Sequence, residues 1–330
     1  MKILITGISG FVGSHFADFL LSNFSEVEIH GTVLPASERG EFARQYPRIT
    51  SHPCDINVKD QIRRVLEEVK PDRIFHLAAQ SYVSSSWENP ELTLHTNIIG
   101  QSNLLEAVRS LKVASFDPVV VLACSSEEYG PVKEDGVVYK EDSPLHPQSP
   151  YAISKIAQDF MGYQYNKSYG LQVIRLRSFN HTGPRRDPVF GVSAFCKKIA
   201  EIENGGSQPE MIVRDLTAVR DFTDVRDIVR AYWEACDNCL PGEAYNVCSG
   251  RGISFKEILD ELLVLSTVKN IRLIPDPAGP RPTDGGRIVG DNGKFCSATG
   301  WKPKIDFLKQ TLPQMLDYWR KFISAAKRQG

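Results

Sequence analysis

Residues 2–14 read KILITGISGFVGS: a short apolar, β-branched run from Lys2 to Thr6, then Gly7, Gly10 and Gly13, then a helix-like stretch from Phe11 to Leu21. The pattern is strand, turn, helix. Glycines in such a turn permit the tight bend, let backbone approach a pyrophosphate and bring helix against strand, while the helix N-terminus offers unpaired N–H groups to an anion. The spacing is GxxGxxG rather than GxGxxG, and three glycines near a turn also have a purely structural explanation. Their place in the first strand-to-helix turn favours dinucleotide binding.

Outward from that turn the alternation repeats. Strands are predicted at Val27–Val33, Ile49–Cys54, Arg73–Leu77, Pro118–Ala123 and Gln172–Leu176, with helices at Val58–Val69 and Asn97–Leu111. The run VVVLA ending at Ala123 has the continuous apolar character of a strand buried on both faces. Repeated strand and helix units predict an α/β fold: a Rossmann-type, doubly wound parallel sheet with a smaller α/β C-terminal substrate-binding lobe. Helices are expected there near Ser193–Glu203, Val225–Cys236 and Phe255–Leu265. The expected division is residues 1–175 for the dinucleotide-binding domain and 176–330 mainly for the smaller lobe, with some segments returning to the Rossmann core. Loops 135–150 and 275–290 are candidate binding elements.

Composition narrows the partners. The 330 residues carry 39 Lys plus Arg against 40 Asp plus Glu, a formal charge of −1 without long single-sign runs, which argues against nucleic acid or an anionic membrane as main partner. No stretch approaches the roughly 20 apolar residues of a spanning helix. Seven scattered cysteines do not form the framework of a small secreted domain, so reduced thiols in the cytoplasm are expected. Cys236 and Cys239 form one CxxC, but zinc needs two further ligands and a redox pair a different context. No metal site is expected.

Tyr151 and Lys155 in YAISK are four residues apart on a helix that starts after Pro150, which puts both on one face. A tyrosine titrates near 10, so acid–base work near neutrality requires a nearby cation, which Lys155 supplies. An amphipathic surface helix with an unrelated Tyr and Lys explains the pair about as well. The strand ending at Ala123 runs into Cys124, Ser125, Ser126, Glu127, Glu128, Tyr129 and Gly130, which places hydroxyls and carboxylates at the carboxyl end of a central strand, where ligands bind in this architecture. After the second strand no acid stands at the tip; Ser37 and Arg39 follow instead, a slight lean towards the extra phosphate of NADP, with NAD as the alternative. His76 and His181 are expected to be hydrogen-bonding rather than catalytic. A stripe of Ile153, Ile156, Ala157, Phe160 and Gln164 suits either a core face or a contact with a second copy.

The chain resembles the extended short-chain dehydrogenases that act on nucleotide sugars. The resemblance covers nearly the whole length: TGISGFVGS, Asp55, HLAAQS at 76–81, Asn97, SSEEYG at 125–130, YAISK, FNHTGP at 179–184, RDFTDVRDIVRAY at 220–232, YNVCSG at 245–250, RPTD at 281–284 and GWKP at 300–303. Within that family it looks most like GDP-4-keto-6-deoxymannose reductases and next most like GDP-mannose 4,6-dehydratases; other nucleotide-sugar epimerases or dehydratases stay open. Phe11-Val12, Asn180-His181-Thr182-Gly183 and Phe222 look like the reductase, whereas Ser125 with Glu127, and the pair Arg185-Arg186, look like the dehydratase.

The resemblance implies a catalytic set of Ser125, Glu127, Tyr151 and Lys155. It implies a cofactor site of Gly7, Gly10, Phe11, Val12, Gly13, Arg39, Asp55, Ile56, Leu77, Ala78 and Ala79 with Tyr151 and Lys155. Ser126, Asn180, Phe190, Lys198, Arg220, Arg281 and Asp284 would hold a GDP-sugar, and a homodimer is the expected assembly. Arginines suit a diphosphate because their forked donors bind it in fixed geometry.

Overall fold

A computed structural model describes residues 1–34, 39–112, 116–277, 279 and 285–329, leaving the side chains of 39–41, 328 and 329 outside the description. Strand β1 (Lys2–Thr6) leads into helix α1 (Phe11–Asn23), followed by β2 (Glu28–Val33), α2 (Arg39–Gln45), β3 (Thr50–Pro53), α3 (Lys59–Val69) and β4 (Arg73–His76). Strands β5 (Val119–Ser125) and β6 (Val173–Ser178) complete the succession, and Ala244–Val247 returns from the C-terminal half to pair with β6. The sheet is parallel, in the order 244–247, β6, β5, β4, β1, β2, β3. The chain therefore builds outward from β1 on one side and restarts on the other at β4. That reversal opens a crevice above the carboxyl ends of β1 and β4.

Period-two alternation explains why β1 is apolar throughout. Ile3 and Ile5 pack on one face with Phe16, Ala17 and Leu20 of α1, while Leu4 faces Ile62 and Leu66 of α3 and Leu104 on the helix Gly100–Leu111. Phe16 meets Phe75 edge-on at 4.5 Å between centroids. Each such fully buried side chain contributes about 1.5–3 kcal/mol. The predicted strands and helices stand within a few residues of their expected bounds, with two informative differences. Strand β5 runs on to Ser125, so its end carries the hydroxyl to the crevice. The helix expected from Asn97 begins instead with a π-helical turn, His95–Ile99, around the buried Asn97.

In the C-terminal half, Val219–Asp224 pairs with Gly252–Ser254, Arg287–Ile288 and the short strand Asn180–Thr182. A separate apolar cluster joins the helices Gly191–Glu203, Phe255–Leu265 and Leu312–Gln329 through Ile199, Ile258, Leu262, Leu312 and Leu316. Helix Val225–Asn238 packs against the large sheet, with the Trp233 ring tilted against Phe24 at 4.3 Å between centroids. Among the described residues no helix is long and apolar enough to cross a membrane.

The stripe on helix Pro150–Tyr169 is not a core face: Ile153, Phe160 and Gln164 are exposed. Cys236 and Cys239 are free thiols, both pushed up to about 12 by burial. No group of three His, Cys, Asp or Glu among the described residues is arranged to hold a metal.

Candidate active site

The glycine turn is shaped by close approach. Gly7 has φ +68°, and a Cβ there would stand 2.9 Å from the Cα of Ala78. At Gly13 a Cβ would come within 2.5 Å of the Ile8 carbonyl oxygen, so only glycine lets α1 start this near the turn. Two threonines tie the turn down. Thr32 Oγ1 accepts from the Gly7 N–H at 3.0 Å, and Thr6 Oγ1 accepts from the N–H groups of Leu77 and Ala78 at 3.1 Å each. Helix α1 has Gly10 as N-cap with no side-chain cap, so its first N–H groups are open to an anion.

With both lone-pair directions of Thr6 Oγ1 taken, its hydroxyl donates to Nδ1 of His76 at 2.9 Å. Burial lowers His76 to about 3, so the ring is neutral with its proton on Nε2. That Nε2 is buried without a partner, contrary to the expected satisfied histidine.

Helix Pro150–Tyr169 begins with Ser149 as N-cap, its Oγ accepting from the Ala152 N–H at 3.0 Å, and Pro150 in the first turn. Asn97 anchors this helix. Its Nδ2 donates to Ser154 Oγ at 2.8 Å and to the Gln80 carbonyl at 3.0 Å, and its Oδ1 accepts from the Gln80 N–H at 2.8 Å. The π-turn and this one side chain thus lock the loop after β4 to the helix bearing Tyr151. Lys155 is buried and donates to the Ala123 carbonyl at 2.8 Å; its Nζ lies 5.7 Å from the centre of the Tyr151 ring. Burial lowers its pKa.

Burial also raises the Tyr151 phenol. The Ser125 hydroxyl, hydrogen-bonded to it, and the Arg186 guanidinium pull it back down. Lys155, to which the sequence assigned the lowering charge, turns its ammonium to the Ala123 carbonyl while staying 5.7 Å from the ring centre.

Behind Ser125 lies a buried ionic cluster that the sequence reading missed. Asp159 accepts from Arg175 at 2.9 Å and from Arg177 at 2.6 Å, and Glu128 stands 3.4 Å from Arg177. Glu128 Oε1 accepts from the Ser125 N–H at 2.8 Å, and Ser125 Oγ accepts from the Glu127 N–H at 3.2 Å. This capping box holds Ser125 to Glu127 in a single turn at the end of β5. The one available signal was two arginines in the otherwise apolar VIRLRS of β6.

A cavity of about 200 Å³ opens between this turn and the C-terminal lobe. Ser125, Ser126, Glu127, Tyr151, Asn180 and Phe190 line it together with Arg186. Asn180 Oδ1 is buried there without a partner. A phenol, a hydroxyl bonded to it and a carboxylate in one wall form an arrangement able to move protons to and from a bound sugar.

Residues 4–315 match the family model described as GDP-mannose 4,6 dehydratase. The chain belongs to that family. Within it, the chain is 31% identical to a GDP-6-deoxy-D-mannose reductase of Pseudomonas aeruginosa over 98% of both chains. It is 31% identical to a GDP-mannose 4,6-dehydratase of Vibrio cholerae, covering 92% of this chain and 90% of that one. The fold of the family is shared with a solved structure of RMD from Pseudomonas aeruginosa complexed with NADPH, at TM-score 0.83, 30% identity and 97% and 99% coverage. A Thermotoga maritima UDP-glucose 4-epimerase with UDP-glucose matches at TM-score 0.84 and 29% identity, with 98% and 100% coverage. Members of the GDP-mannose 4,6 dehydratase family are nucleotide-sugar oxidoreductases and lyases of the short-chain dehydrogenase type, and this chain is such an enzyme.

The structure does not bring every expected residue of the family pattern to the cavity. Lys198 Nζ donates to Ser207 Oγ at 3.0 Å, and the Arg220 guanidinium donates to the carbonyls of Val219 and Gly286; neither lines the cavity. Arg281 and Asp284 lie outside the described residues, as does the side chain of Arg39. Asp55 stands past the carboxyl end of β3, its Oδ1 accepting from the Asn57 N–H at 2.9 Å, and Ile56 is buried beneath it. Phe11, Val12, Leu77, Ala78 and Ala79 border the crevice half-buried. His181 lines the cavity, donates through Nδ1 to the Phe179 carbonyl at 2.9 Å, and is lowered by burial to about 4.

Proposed function

We propose that this chain reduces GDP-4-keto-6-deoxy-D-mannose to GDP-D-rhamnose with NADPH. The observation that carries this reading is the convergence of Ser125, Tyr151 and the buried Lys155 at the crevice where the strand order reverses. The full-length likeness to the Pseudomonas aeruginosa reductase supports the substrate, and the NADPH-bound neighbour supports the cofactor.

The glycine turn fits a dinucleotide: the space that a Cβ on Gly7 would fill and the uncapped start of α1 leave room and donors for a pyrophosphate. Gly7, Gly10, Phe11, Val12 and Gly13 would hold that pyrophosphate, Asp55 and Ile56 the adenosine side, and Leu77, Ala78, Ala79 and Lys155 the nicotinamide side. When bound, the reduced cofactor supplies the hydride that reaches carbon 4 of the keto sugar. Tyr151 gives its phenolic proton to the oxygen on that carbon, and the Ser125 hydroxyl holds the oxygen in place. The buried Lys155 orients the helix face from which Tyr151 acts. Residues 1–175 serve the cofactor and 176–330 mainly the nucleotide sugar. The enzyme works in the cytoplasm as a homodimer, joined through the exposed Ile153 and Phe160 face with the helix following Asn97.

One observation favours a second reading. Glu127 lies in the cavity wall, where a carboxylate can remove the proton at sugar carbon 5 and drive loss of water, the chemistry of a GDP-mannose 4,6-dehydratase. Following nicotinamide absorbance with NADPH decides between them. Oxidation with GDP-4-keto-6-deoxymannose and none with GDP-mannose is expected. Conversion of GDP-mannose to the keto sugar without net NADPH loss would replace the reductase by the dehydratase and make Glu127 its base.

A further inference from the structure

A second cavity, of about 320 Å³, opens in the C-terminal lobe. Its volume is that of a small-molecule site. Among the described lining residues, Phe222 is the one it shares with the catalytic cavity, so it is a separate pocket. The buried side chains of Phe222, Phe307 and Ile253 form its apolar base, with the two rings stacked at 5.0 Å between centroids.

Both of its sides are fastened to one strand–helix segment. Asp221, in the strand Val219–Asp224, accepts from the Ser249 N–H at 2.8 Å, the Ser249 hydroxyl at 2.6 Å and the Gly250 N–H at 2.9 Å. Asp227, in the helix Val225–Asn238 that follows, accepts from the N–H groups of Lys304 and Ile305 at 2.8 and 2.9 Å, while its backbone carbonyl accepts from the Trp301 indole at 3.0 Å. Both carboxylates are buried. The loops at 249–251 and 303–306 therefore keep their spacing without a ligand, and the concavity is pre-formed.

Its polar groups are left open. Thr223 is 2% exposed, yet its hydroxyl has no hydrogen-bond partner. A valine there would have the same shape without that cost. Arg251 and Lys304 are exposed at the mouth, and neither makes an ion pair among the described residues. Asp306, the acid in the lining, turns its Oδ1 to the Lys309 N–H at 2.8 Å. Two cations against one carboxylate leave the mouth net positive over an apolar base, which suits an anion with an apolar body.

We propose that this cavity binds a small organic phosphate, with its charge between Arg251 and Lys304, its apolar body on the base and one of its oxygens bonded to the Thr223 hydroxyl. The site does not depend on the nucleotide-sugar reading above.

Titration of the full chain with para-fluorobenzyl phosphate, read by fluorine NMR with the glycine turn filled by NADP⁺, tests it. Saturable binding with a Kd of about 1 mM or below is expected, the range of a small fragment. Para-fluorobenzyl alcohol, which lacks the anion, should bind at least about tenfold more weakly. Replacing both cations, Arg251→Gln with Lys304→Gln, should weaken the phosphate at least about fivefold, as expected for two partly exposed charged contacts, without changing NADP⁺ affinity. Thr223→Val should weaken it about threefold with no loss of stability to urea. Absence of saturable binding to the wild type, equal binding of the alcohol, or wild-type affinity in both variants would overturn the proposal.

Discussion

The two walls of the cavity are built differently. On the sheet side, Thr6, Thr32, Asn97, Ser149 and Glu128 spend their hydrogen bonds on the backbone and side chains that place Gly7, Ser125 and Tyr151. On the lobe side, Asn180 Oδ1 is unpaired and Arg186 has ring faces but no ion pair among the described residues. The first wall fixes its hydroxyl, phenol and glycine turn by itself, with His76 Nε2 and Glu128 Oε2 left without a hydrogen bond behind them; the second carries polar groups at the cavity whose satisfaction awaits a ligand. The difference follows from task. A group that transfers a proton must be in place before substrate arrives, whereas a group that recognises substrate gains most when its partner is the substrate.

Three substitutions probe this contrast. Tyr151→Phe removes the proton donor together with its bond to Ser125, and leaves the backbone hydrogen bonds of the sheet-side wall intact. Its kcat should fall by about 10²–10⁴-fold with NADPH affinity retained, as read from initial rates and a fluorescence titration. Activity near wild type would remove Tyr151 from the chemistry.

Asn97→Ala strikes the sheet-side wall, orphaning the Gln80 backbone groups and releasing Ser154. A stability loss of about 1–3 kcal/mol is expected by urea unfolding, together with a lower kcat, because the loop after β4 and the Tyr151 helix lose their shared anchor. A variant as stable as wild type would mean that this wall is not held as described.

Asn180→Ala strikes the open wall and should have the smallest effect on folding. It removes a buried unpaired oxygen, so unfolding free energy should stay within about 0.5 kcal/mol of wild type or rise, while KM for the nucleotide sugar increases. A marked loss of stability with unchanged KM would erase the distinction between the walls.

Much of the sheet-side wall was legible because its determinants are local. Gly7, Gly10 and Gly13 sit within one turn, and Tyr151 and Lys155 within one helical turn, so periodicity alone sets their mutual placement. The lobe was harder to read. Lys198 and Arg220 match a sequence pattern, yet their side chains turn to Ser207 and to backbone carbonyls. Arg186, noted only as half of a basic pair, is the arginine that lines the cavity among the described residues. Nothing in residues 183–187 alone reveals that Asp18, His15 and Ser193 anchor that turn.

The sequence by itself determined the strand, glycine turn and helix of a dinucleotide fold, the succession of elements and the shared helix face of Tyr151 and Lys155. These follow from short-range periodicity and from backbone conformations that particular residue types permit. Tertiary structure decided which charges face the cavity, that the Lys155 ammonium bonds the Ala123 carbonyl, and that the Ile153 and Phe160 face lies outside the core. Those outcomes depend on hydrogen bonds and ring contacts between residues as far apart as Asp18 and Arg185, and no local pattern encodes which of several competing partners a long cationic side chain will take.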